Sequence, residues 1–400
     1  MARLCSFCGK AQNEVKKLFV VEAAAICNEC IDMCSEVIAQ EASREERRAF
    51  SRGLPKPAEI VTFLDGYVIG QEAAKRVMAV ALYNHYKRIE RPEIKGVELE
   101  KSNILLIGPT GSGKTLLAKS LARIMNVPFA VADATALTEA GYVGEDVESI
   151  LSRLLAAANY DVELAQKGSI YIDEIDKIAH QGESATSGRD VSGEGVQQGL
   201  LKILEGGEVY VPIKGSRKNA SAETVLFDTT HVLFVAGGAF VGLSHQKKGE
   251  KKQMGFNREE ASSETKPIAP KDLVHYGMIP EFVGRLPVIA QLSDLEESDL
   301  VRILTEPKNA LTRQFAALFG LDGIELSFEP EALAVLARLA LERGVGARGL
   351  RGILEDRMRD LQFELPSRQE VTGCVITGAF IEGTQPARLI TLDTKENARG

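Results

Sequence analysis

The sequence predicts an α/β fold in which helices flank a parallel sheet, with a helical C-terminal part and a small N-terminal metal module. Three observations support this prediction. A glycine-rich segment, GPTGSGKT at residues 108–115, separates an apolar run from a helical pattern. A second apolar run at residues 169–172 ends in two acidic residues, and five of the six cysteines lie in the first 34 residues.

The glycine-rich segment matches the phosphate-loop pattern GxxxxGK(S/T) and predicts a nucleotide site. Glycines let backbone N–H groups surround a phosphate chain, and the following helix adds the partial positive charge of its N-terminus. Such turns also occur by chance, but the apolar strand pattern before it and the helix pattern after it favour a true site. We expect Lys114 to reach the β/γ-phosphates and the Thr115 hydroxyl to hold Mg²⁺. The other predicted contacts in the loop are Pro109, Thr110, Gly111, Ser112 and Gly113.

The acidic pair Asp173 and Glu174 supplies the second element that an ATP site requires. Mg²⁺ keeps several waters and is steered by a carboxylate on a rigid strand. We therefore predict that Asp173 orients the metal and that Glu174 polarises the attacking water. The alternative is a solvated strand end with ordinary surface acids, which the upstream loop disfavours. The two motifs together predict ATP hydrolysis.

Composition limits the remaining possibilities. The 400 residues are 44% hydrophobic, which is enough for two or three domains with cores of their own. A formal charge of −8 argues against a general polyanion-binding surface. No run of about 20 apolar residues appears, and the N-terminus lacks the apolar segment of a signal peptide. We therefore predict a cytoplasmic protein with reduced thiols and no membrane partner.

Two CxxC pairs, Cys5 with Cys8 and Cys27 with Cys30, are separated by 18 residues and predict a four-cysteine zinc site. Redox disulfides are the alternative. So short a segment cannot bury enough surface to fold alone, so metal binding would supply folding free energy on the order of 10 kcal/mol. Cys34 and Cys374 are predicted to be packed thiols.

The following elements are predicted in chain order. Residues 41–57 form a charged linker, and then a helix presents Ala74, Val77, Val80 and Ala81 as its apolar face. The GYVG segment at residues 141–144 indicates a turn with one partly buried ring, or a functional loop. After residue 286 we expect two helices capped by Ser293 and Asp294 and separated near residues 306–307, then a helix that starts at Pro330. Residues 374–381 are predicted to be strand-like, and the tail after residue 385 to be loosely ordered.

The chain resembles the ClpX family of AAA+ protein unfoldases over nearly its whole length. The resemblance is carried by the double CxxC and by the following segments: LPKPAEI, DGYVIGQEAAK, GPTGSGKT, GYVG, IYIDEIDKI, RDVSGEGVQQGLLKILEG, VLFVAGGAF, PEFVGRLP and GARGLR. It implies a zinc-binding domain at 1–45, a linker at 46–60, a large AAA+ ATPase domain at 61–290, a helical small domain at 291–390 and a tail at 391–400.

The resemblance also implies roles for individual residues. Tyr67, Val68 and Ile69 would line the adenine pocket, and Tyr142 and Val143 would form a pore loop that grips polypeptide. Residues 182–195 match the family's second pore loop, although a plain surface loop is the alternative.

Two arginines match family motifs. Arg285 matches the arginine finger that reaches a neighbouring subunit's γ-phosphate, and Arg348 matches the sensor arginine that carries nucleotide state to the small domain. Without the motif context, the alternative interpretation of each arginine is that it forms an ordinary surface salt bridge.

Two segments depart from the family pattern. The peptidase-docking loop has Met254, Gly255 and Phe256 where the family has Ile-Gly-Phe, a change that conserves volume and apolar character. At the pore entrance, Arg217 and Lys218 are followed by Asn219 in place of histidine, so attraction for acidic tags should persist.

The resemblance implies an ATP-driven homohexamer that unfolds tagged or unfolded substrates, works with adaptors and delivers chains to a separate ClpP-type peptidase. The cofactors are ATP, Mg²⁺ and Zn²⁺, and no nucleic acid is expected. The sequence has no GxSxG or HExxH motif, so intrinsic protease activity is not expected. The alternatives are a non-proteolytic remodelling chaperone, a nucleic-acid-associated AAA+ motor, and a simple binding module with a degenerate ATPase, which the intact Lys114, Glu174 and Arg285 disfavour.

Overall fold

The structure, a computed structural model, describes residues 4–21, 24–31, 33–34, 53–91, 93–94, 96–138, 145–180, 193–213, 224–243 and 267–391. Contacts divide the chain into two units, Met1–Leu54 and Pro55–Gly400. In the first unit, strands β1 (Leu18–Val21) and β2 (Ala24–Cys27) form an antiparallel hairpin, and residues 28–31 are helical. The hairpin and the turn at residues 5–8 bring two cysteine pairs together.

The second unit contains the α/β body and the C-terminal helices. The body comprises α1 (Pro57–Asp65), α2 (Glu72–Glu90), β3 (Glu93–Ile94), β4 (Val97–Glu98), β5 (Ile104–Ile107), α3 (Lys114–Met125), β6 (Phe129–Asp133), α4 (Ser149–Ala157), α5 (Val162–Ala165), β7 (Ser169–Asp173), α6 (Glu194–Leu204), β8 (Glu208–Pro212), β9 (Thr224–Asp228), β10 (Leu233–Gly238), α7 (Pro270–Tyr276), α8 (Pro280–Gly284) and β11 (Val288–Gln291). The C-terminal part comprises α9 (Glu297–Thr305), α10 (Leu311–Leu321), β12 (Glu325–Phe328), α11 (Pro330–Glu342), α12 (Ala347–Glu364), β13 (Val371–Ile376), α13 (Gly378–Glu382) and β14 (Arg388–Thr391). The first helix thus begins at Pro57, inside the segment predicted as a linker.

The central sheet has five strands in the order β11-β5-β10-β7-β6, and every pairing is parallel. All residues of β5 and β10 are buried, because helices cover both faces of a parallel sheet. Since parallel strands end at one edge, the segments that follow β5, β7 and β10 meet there. The glycine-rich loop and the acidic pair are therefore neighbours, although more than 50 residues separate them in the sequence.

The apolar face predicted for α2 is partly wrong. Ala74 and Ala81 are buried, but Val77 and Val80 are 38% and 48% exposed. The buried face instead includes Met78. Large aromatic and polar side chains on that face pack against the body as well. These buried residues include Lys75, Leu82, His85, Tyr86 and Arg88.

The C-terminal part has its own core, which a three-stranded sheet in the order β12-β13-β14 completes. Pro330 occupies the first turn of α11 as predicted, and Cys374 is buried in this core. The predicted caps at Ser293 and Asp294 are wrong. Helix α9 follows Glu296, whose N–H donates to the Asp299 carboxylate at 3.2 Å.

Two further C-terminal predictions are wrong in part, because the predicted strand is confirmed only for residues 374–376 and residues 388–391 of the predicted loose tail form a strand. The strand ends at Ile376, and the Thr377 hydroxyl accepts the Phe380 N–H to start helix α13. Arg388–Thr391 is not loose: it pairs antiparallel with β13 as an edge strand. Among the helices of the described residues, none combines the length and apolar character needed to cross a membrane.

Candidate nucleotide and zinc sites

The glycine-rich loop joins β5 to α3 at the carboxyl edge of the sheet. Gly111 and Gly113 have φ values of +80° and +99°, a backbone region that favours glycine. Lys114 is the first residue of α3, and its Nζ donates to the carbonyl oxygens of Gly108 at 2.7 Å and Pro109 at 2.9 Å. Its side chain therefore lies along the inside of the loop that we expect to hold phosphates.

The acidic pair ends β7 beside this loop. The Thr115 hydroxyl donates to Asp173 Oδ2 at 3.2 Å, and the Glu174 N–H donates to Asp173 Oδ1 at 3.0 Å. Glu174 has a φ of +56°, which is uncommon for a residue other than glycine and costs on the order of 1 kcal/mol. A hydroxyl and a carboxylate oxygen 3.2 Å apart are hard donors of the type that Mg²⁺ prefers.

Charge in the site favours an anionic ligand. Burial lowers the pKa of Lys114, and the Arg348 cation lowers it further, while Asp173 and Asp176 oppose both effects. A phosphate chain would place negative charge beside the Lys114 ammonium and so stabilise its charged form. Asp176, which sequence reasoning missed, is buried and accepts the backbone N–H groups of Ala239 and Phe240 at 3.1 and 3.3 Å. It ties the segment after β7 to the end of β10.

A cavity of about 780 Å³ lies over this edge. Both parts of the second unit line it, since Ile303, Arg348 and Arg351 come from the C-terminal helices and Pro307 comes from the turn after α9. The predicted nucleotide residues that line it are Tyr67, Thr110, Gly111, Gly113, Lys114, Thr115 and Arg348, together with Asp173 and Glu174. Pro109, Ser112, Val68 and Ile69 are not among its lining residues: the Ser112 hydroxyl donates to the Pro109 carbonyl, and the other two side chains are buried.

Tyr67 occupies the junction between the two parts. Its ring centroid is 5.0 Å from that of Phe63, 5.2 Å from Arg123 Cζ and 5.6 Å from Lys308 Nζ. The Lys308 N–H also donates to the Gly66 carbonyl at 2.9 Å. Residues of α1, α3 and the turn after α9 thus fix the ring at the cavity wall.

The phosphate loop directly abuts the turn before α12. A Cβ at Gly111 would lie 2.6 Å from the Val345 carbonyl oxygen and 3.1 Å from Gly346 Cα. Gly346 itself has a φ of +57°, and a Cβ there would lie 3.1 Å from the Thr110 carbonyl oxygen. The backbones of the phosphate loop and of the turn before α12 are therefore in direct contact.

Arg285 follows α8 and is not among the residues that line this cavity. Its Nη2 and Nε lie 2.8 and 3.0 Å from Glu205 Oε1, and both side chains are about half exposed. Asn103 Nδ2 donates to the carbonyl oxygens of Arg285 at 2.9 Å and Leu204 at 3.2 Å. Among the residues that the structure describes, the Arg285 side chain therefore lies at the surface, paired with Glu205.

Gln197, the fourth residue of α6, makes connecting hydrogen bonds that sequence reasoning missed. Its Nε2 donates to the Ile178 carbonyl at 2.8 Å, and its Oε1 accepts the Ile279 N–H at 2.8 Å. It joins the segment after the acidic pair to the start of α8, which precedes Arg285. A glutamine in a helical pattern gives no local signal of such a role.

The four predicted zinc ligands converge. The Sγ atoms of Cys5 and Cys30 are 3.9 Å apart and those of Cys8 and Cys27 are 3.6 Å apart; all four lie within 4.8 Å of one another. Zn–S bonds of about 2.3 Å in a tetrahedron give sulfur separations of about 3.7 Å, so the residues fit zinc. The Cys27 N–H donates to Cys5 Sγ, and backbone N–H groups, that of Cys8 foremost, lower the pKa of Cys5 to about 6.

Several predicted residues lie outside the described residues. They are the pore-loop residues Tyr142 and Val143, the entrance residues Arg217 and Lys218, and the docking residues Met254, Gly255 and Phe256. Most of the predicted second pore loop also lies there, although α6 already begins at Glu194.

Three family models match the chain. A ClpX C4-type zinc finger matches residues 3–40, an AAA domain (Cdc48 subfamily) matches residues 99–289, and the C-terminal, D2-small domain of ClpB protein matches residues 295–377. These matches confirm the predicted fold class.

The chain is also similar to curated relatives over nearly its full length. It is 57% identical to the ATP-dependent Clp protease ATP-binding subunit ClpX 2 of Wolinella succinogenes over 96% of this chain and 97% of the relative. It is 49% identical to the ClpX subunits of Borrelia duttonii and Borrelia recurrentis over 96% of this chain and 92% of each relative.

Proposed function

The chain belongs to the ClpX family of AAA+ ATPases, and from this premise we propose that it unfolds tagged proteins and threads them through a homohexameric pore to a ClpP-type peptidase. The observation that carries the proposal is a nucleotide cavity lined by both parts of the second unit. Because nucleotide would contact both parts, its hydrolysis and release can change their relative position, which is the movement that a translocase requires.

Each residue at the cavity has a proposed chemical role. Lys114 neutralises the β/γ-phosphates, Thr115 and Asp173 hold Mg²⁺, and Glu174 orients and deprotonates the attacking water. When bound, Mg²⁺ neutralises phosphate charge and stabilises the leaving group. Glu174 is the first residue after β7 and has a left-handed backbone conformation, and its N–H donates to Asp173.

Arg285 is proposed to act on the neighbouring subunit's nucleotide. It does not line the cavity of its own chain, and it is half exposed beside Glu205. An arginine supplied in this way contributes on the order of 10³–10⁵ in rate. Hydrolysis would then depend on ring assembly.

The remaining roles concern substrate and partners. Tyr142 and Val143 would grip the translocating chain, and Arg217 and Lys218 would attract acidic tags. Met254, Gly255 and Phe256 would dock into apolar clefts of the peptidase. The zinc module at residues 1–45 would bind adaptors or substrates, residues 46–60 would link it to the large domain at 61–290, and the small domain at 291–390 would precede a tail at 391–400.

The proposal is tested with a tagged, fluorescent, stably folded reporter and ATP. Fluorescence should fall with wild type and with Phe256→Ala, but reporter fragments should appear only with wild type and a ClpP-type peptidase. Unfolding without degradation in either protein would favour a non-proteolytic remodelling chaperone. No unfolding, together with salt-sensitive stimulation of ATP hydrolysis by DNA, would favour a nucleic-acid motor.

The trans role of Arg285 is tested by mixing inactive subunits. Arg285→Ala and Glu174→Gln should each abolish turnover alone, whereas mixed rings should recover part of it at hybrid interfaces. Absence of recovery in rings shown to be mixed would refute the trans role.

A further inference from the structure

Tyr171 is a buried tyrosine two residues before Asp173 on β7, and the roles proposed above do not use it. It is fully buried, and its hydroxyl donates to Asp173 Oδ1 at 3.0 Å. Side chains at i and i+2 of a strand share a face, so ring and carboxylate lie on one side of the sheet.

The two oxygens of Asp173 are held differently. Oδ1 accepts two hydrogen bonds, one from the Tyr171 hydroxyl and one from the Glu174 N–H. Oδ2 accepts one, from the Thr115 hydroxyl at 3.2 Å. With Oδ1 engaged by both donors, Oδ2 is fixed toward Thr115 and the phosphate loop. These hydrogen bonds restrict the rotation of the Asp173 carboxylate.

The neighbouring strand leaves room for this tyrosine. Val235 of β10 pairs with Tyr171, and Gly237 lies two residues further along the same strand. A side chain at Gly237 would overlap the hydroxyl and ring of Tyr171.

We propose that Tyr171 is a positioning residue that orients Asp173 for the magnesium ion of the bound nucleotide. The inference rests on the magnesium role proposed above for Asp173. Groups that hydrogen-bond a metal ligand orient it and tune its affinity, and their loss typically costs 10- to 100-fold in metal affinity.

The test is Tyr171→Phe, which keeps the ring beside Gly237 and removes one hydroxyl. Binding of a fluorescent ADP analogue is titrated with free Mg²⁺. The half-saturating Mg²⁺ concentration should rise at least about 10-fold, while affinity for the analogue in EDTA should be unchanged.

Tyr86→Phe is the matched control. Tyr86 is equally buried, and its hydroxyl donates to the Lys167 carbonyl at 3.1 Å, a backbone group outside the cavity lining. This variant should keep the wild-type Mg²⁺ dependence. A folded Tyr171→Phe with unchanged Mg²⁺ dependence, or an equal change in Tyr86→Phe, would overturn the inference.

A third variant separates this inference from its premise. Asp173→Asn should remove the Mg²⁺ dependence of binding; if it does not, the proposed role of Asp173 fails. If it does and Tyr171→Phe has no effect, the positioning inference alone fails. Should the phenylalanine variant not fold, Gly237→Ala displaces the Tyr171 hydroxyl without changing Tyr171 itself, because a Cβ at Gly237 would overlap that hydroxyl. An unchanged Mg²⁺ dependence in that variant would also overturn the inference.

Discussion

Replacing Gln197 by alanine should loosen the start of α8 and the arginine that follows it. The substitution removes two 2.8 Å hydrogen bonds, which leaves the Ile178 carbonyl and the Ile279 N–H without this partner. An unsatisfied, partly buried backbone group costs about 1–2 kcal/mol. We therefore expect a loss of about 2–4 kcal/mol in the free energy of unfolding, even though the sequence predicted no role for Gln197.

The assays are urea denaturation and amide hydrogen exchange. The urea midpoint should fall, and the Ile279 amide should exchange about 30- to 700-fold faster, since each 1.4 kcal/mol is a factor of ten. Gln198→Ala is the matched control, because Gln198 lies next in the same helix and bonds the exposed Glu194 side chain. It should change stability by less than about 0.5 kcal/mol. Equal effects of the two substitutions would refute the reasoning.

Three further predictions concern the zinc site, a partly buried lysine and a helical glycine. Chelation of zinc should unfold residues 4–34, because metal binding contributes on the order of 10 kcal/mol to the folding of so small a module. The thermal transition of the second unit should stay unchanged. A far-UV circular dichroism spectrum that does not change on chelation would contradict this prediction. Burial lowers the pKa of Lys101 to about 7, with Arg88 adding to the effect and Asp228 opposing it. Between pH 7 and about 9 the folded chain loses the Lys101 proton while the unfolded chain keeps it. The free energy of unfolding should therefore rise with pH by up to about 1.4 kcal/mol per pH unit. Urea midpoints that rise equally with pH in Lys101→Met would contradict this prediction. Gly352→Ala should raise stability by about 0.5–1 kcal/mol, because a Cβ there meets no atom within 4 Å inside α12, and a lower melting temperature would contradict it.

The parts of the site that the sequence could predict are those built from neighbouring residues. A phosphate loop needs its glycines, lysine and threonine within eight residues, and a zinc knuckle needs two cysteines three apart. Each motif carries its chemistry locally, so Lys114, Asp173 and the four cysteines could be predicted as site residues from the sequence alone. The structure then brought them together because parallel strands end at one edge and a hairpin returns the chain on itself.

Local patterns failed where packing against distant residues decided the result. Val77 and Val80 fit a helical apolar stripe, but the face of α2 that packs on the body is set by larger side chains next to them. The segment after Gln385 has little strand character of its own, yet it becomes ordered because β13 offers it an unpaired edge. Ser293 is a good cap by type, but its N–H donates to the Gln71 side chain, 222 residues away in the chain.

By itself, the sequence determined the chemistry of this protein: a nucleotide loop, an acidic pair, a four-cysteine module and the family to which they belong. Tertiary structure alone decided how those groups are held. Tyr171 and Gly237, Gln197 and Ile279, and Gly111 and Val345 are contacts between residues 66 to 234 positions apart. No periodicity or spacing encodes such pairs, because each depends on how strands and helices pack after the chain has folded.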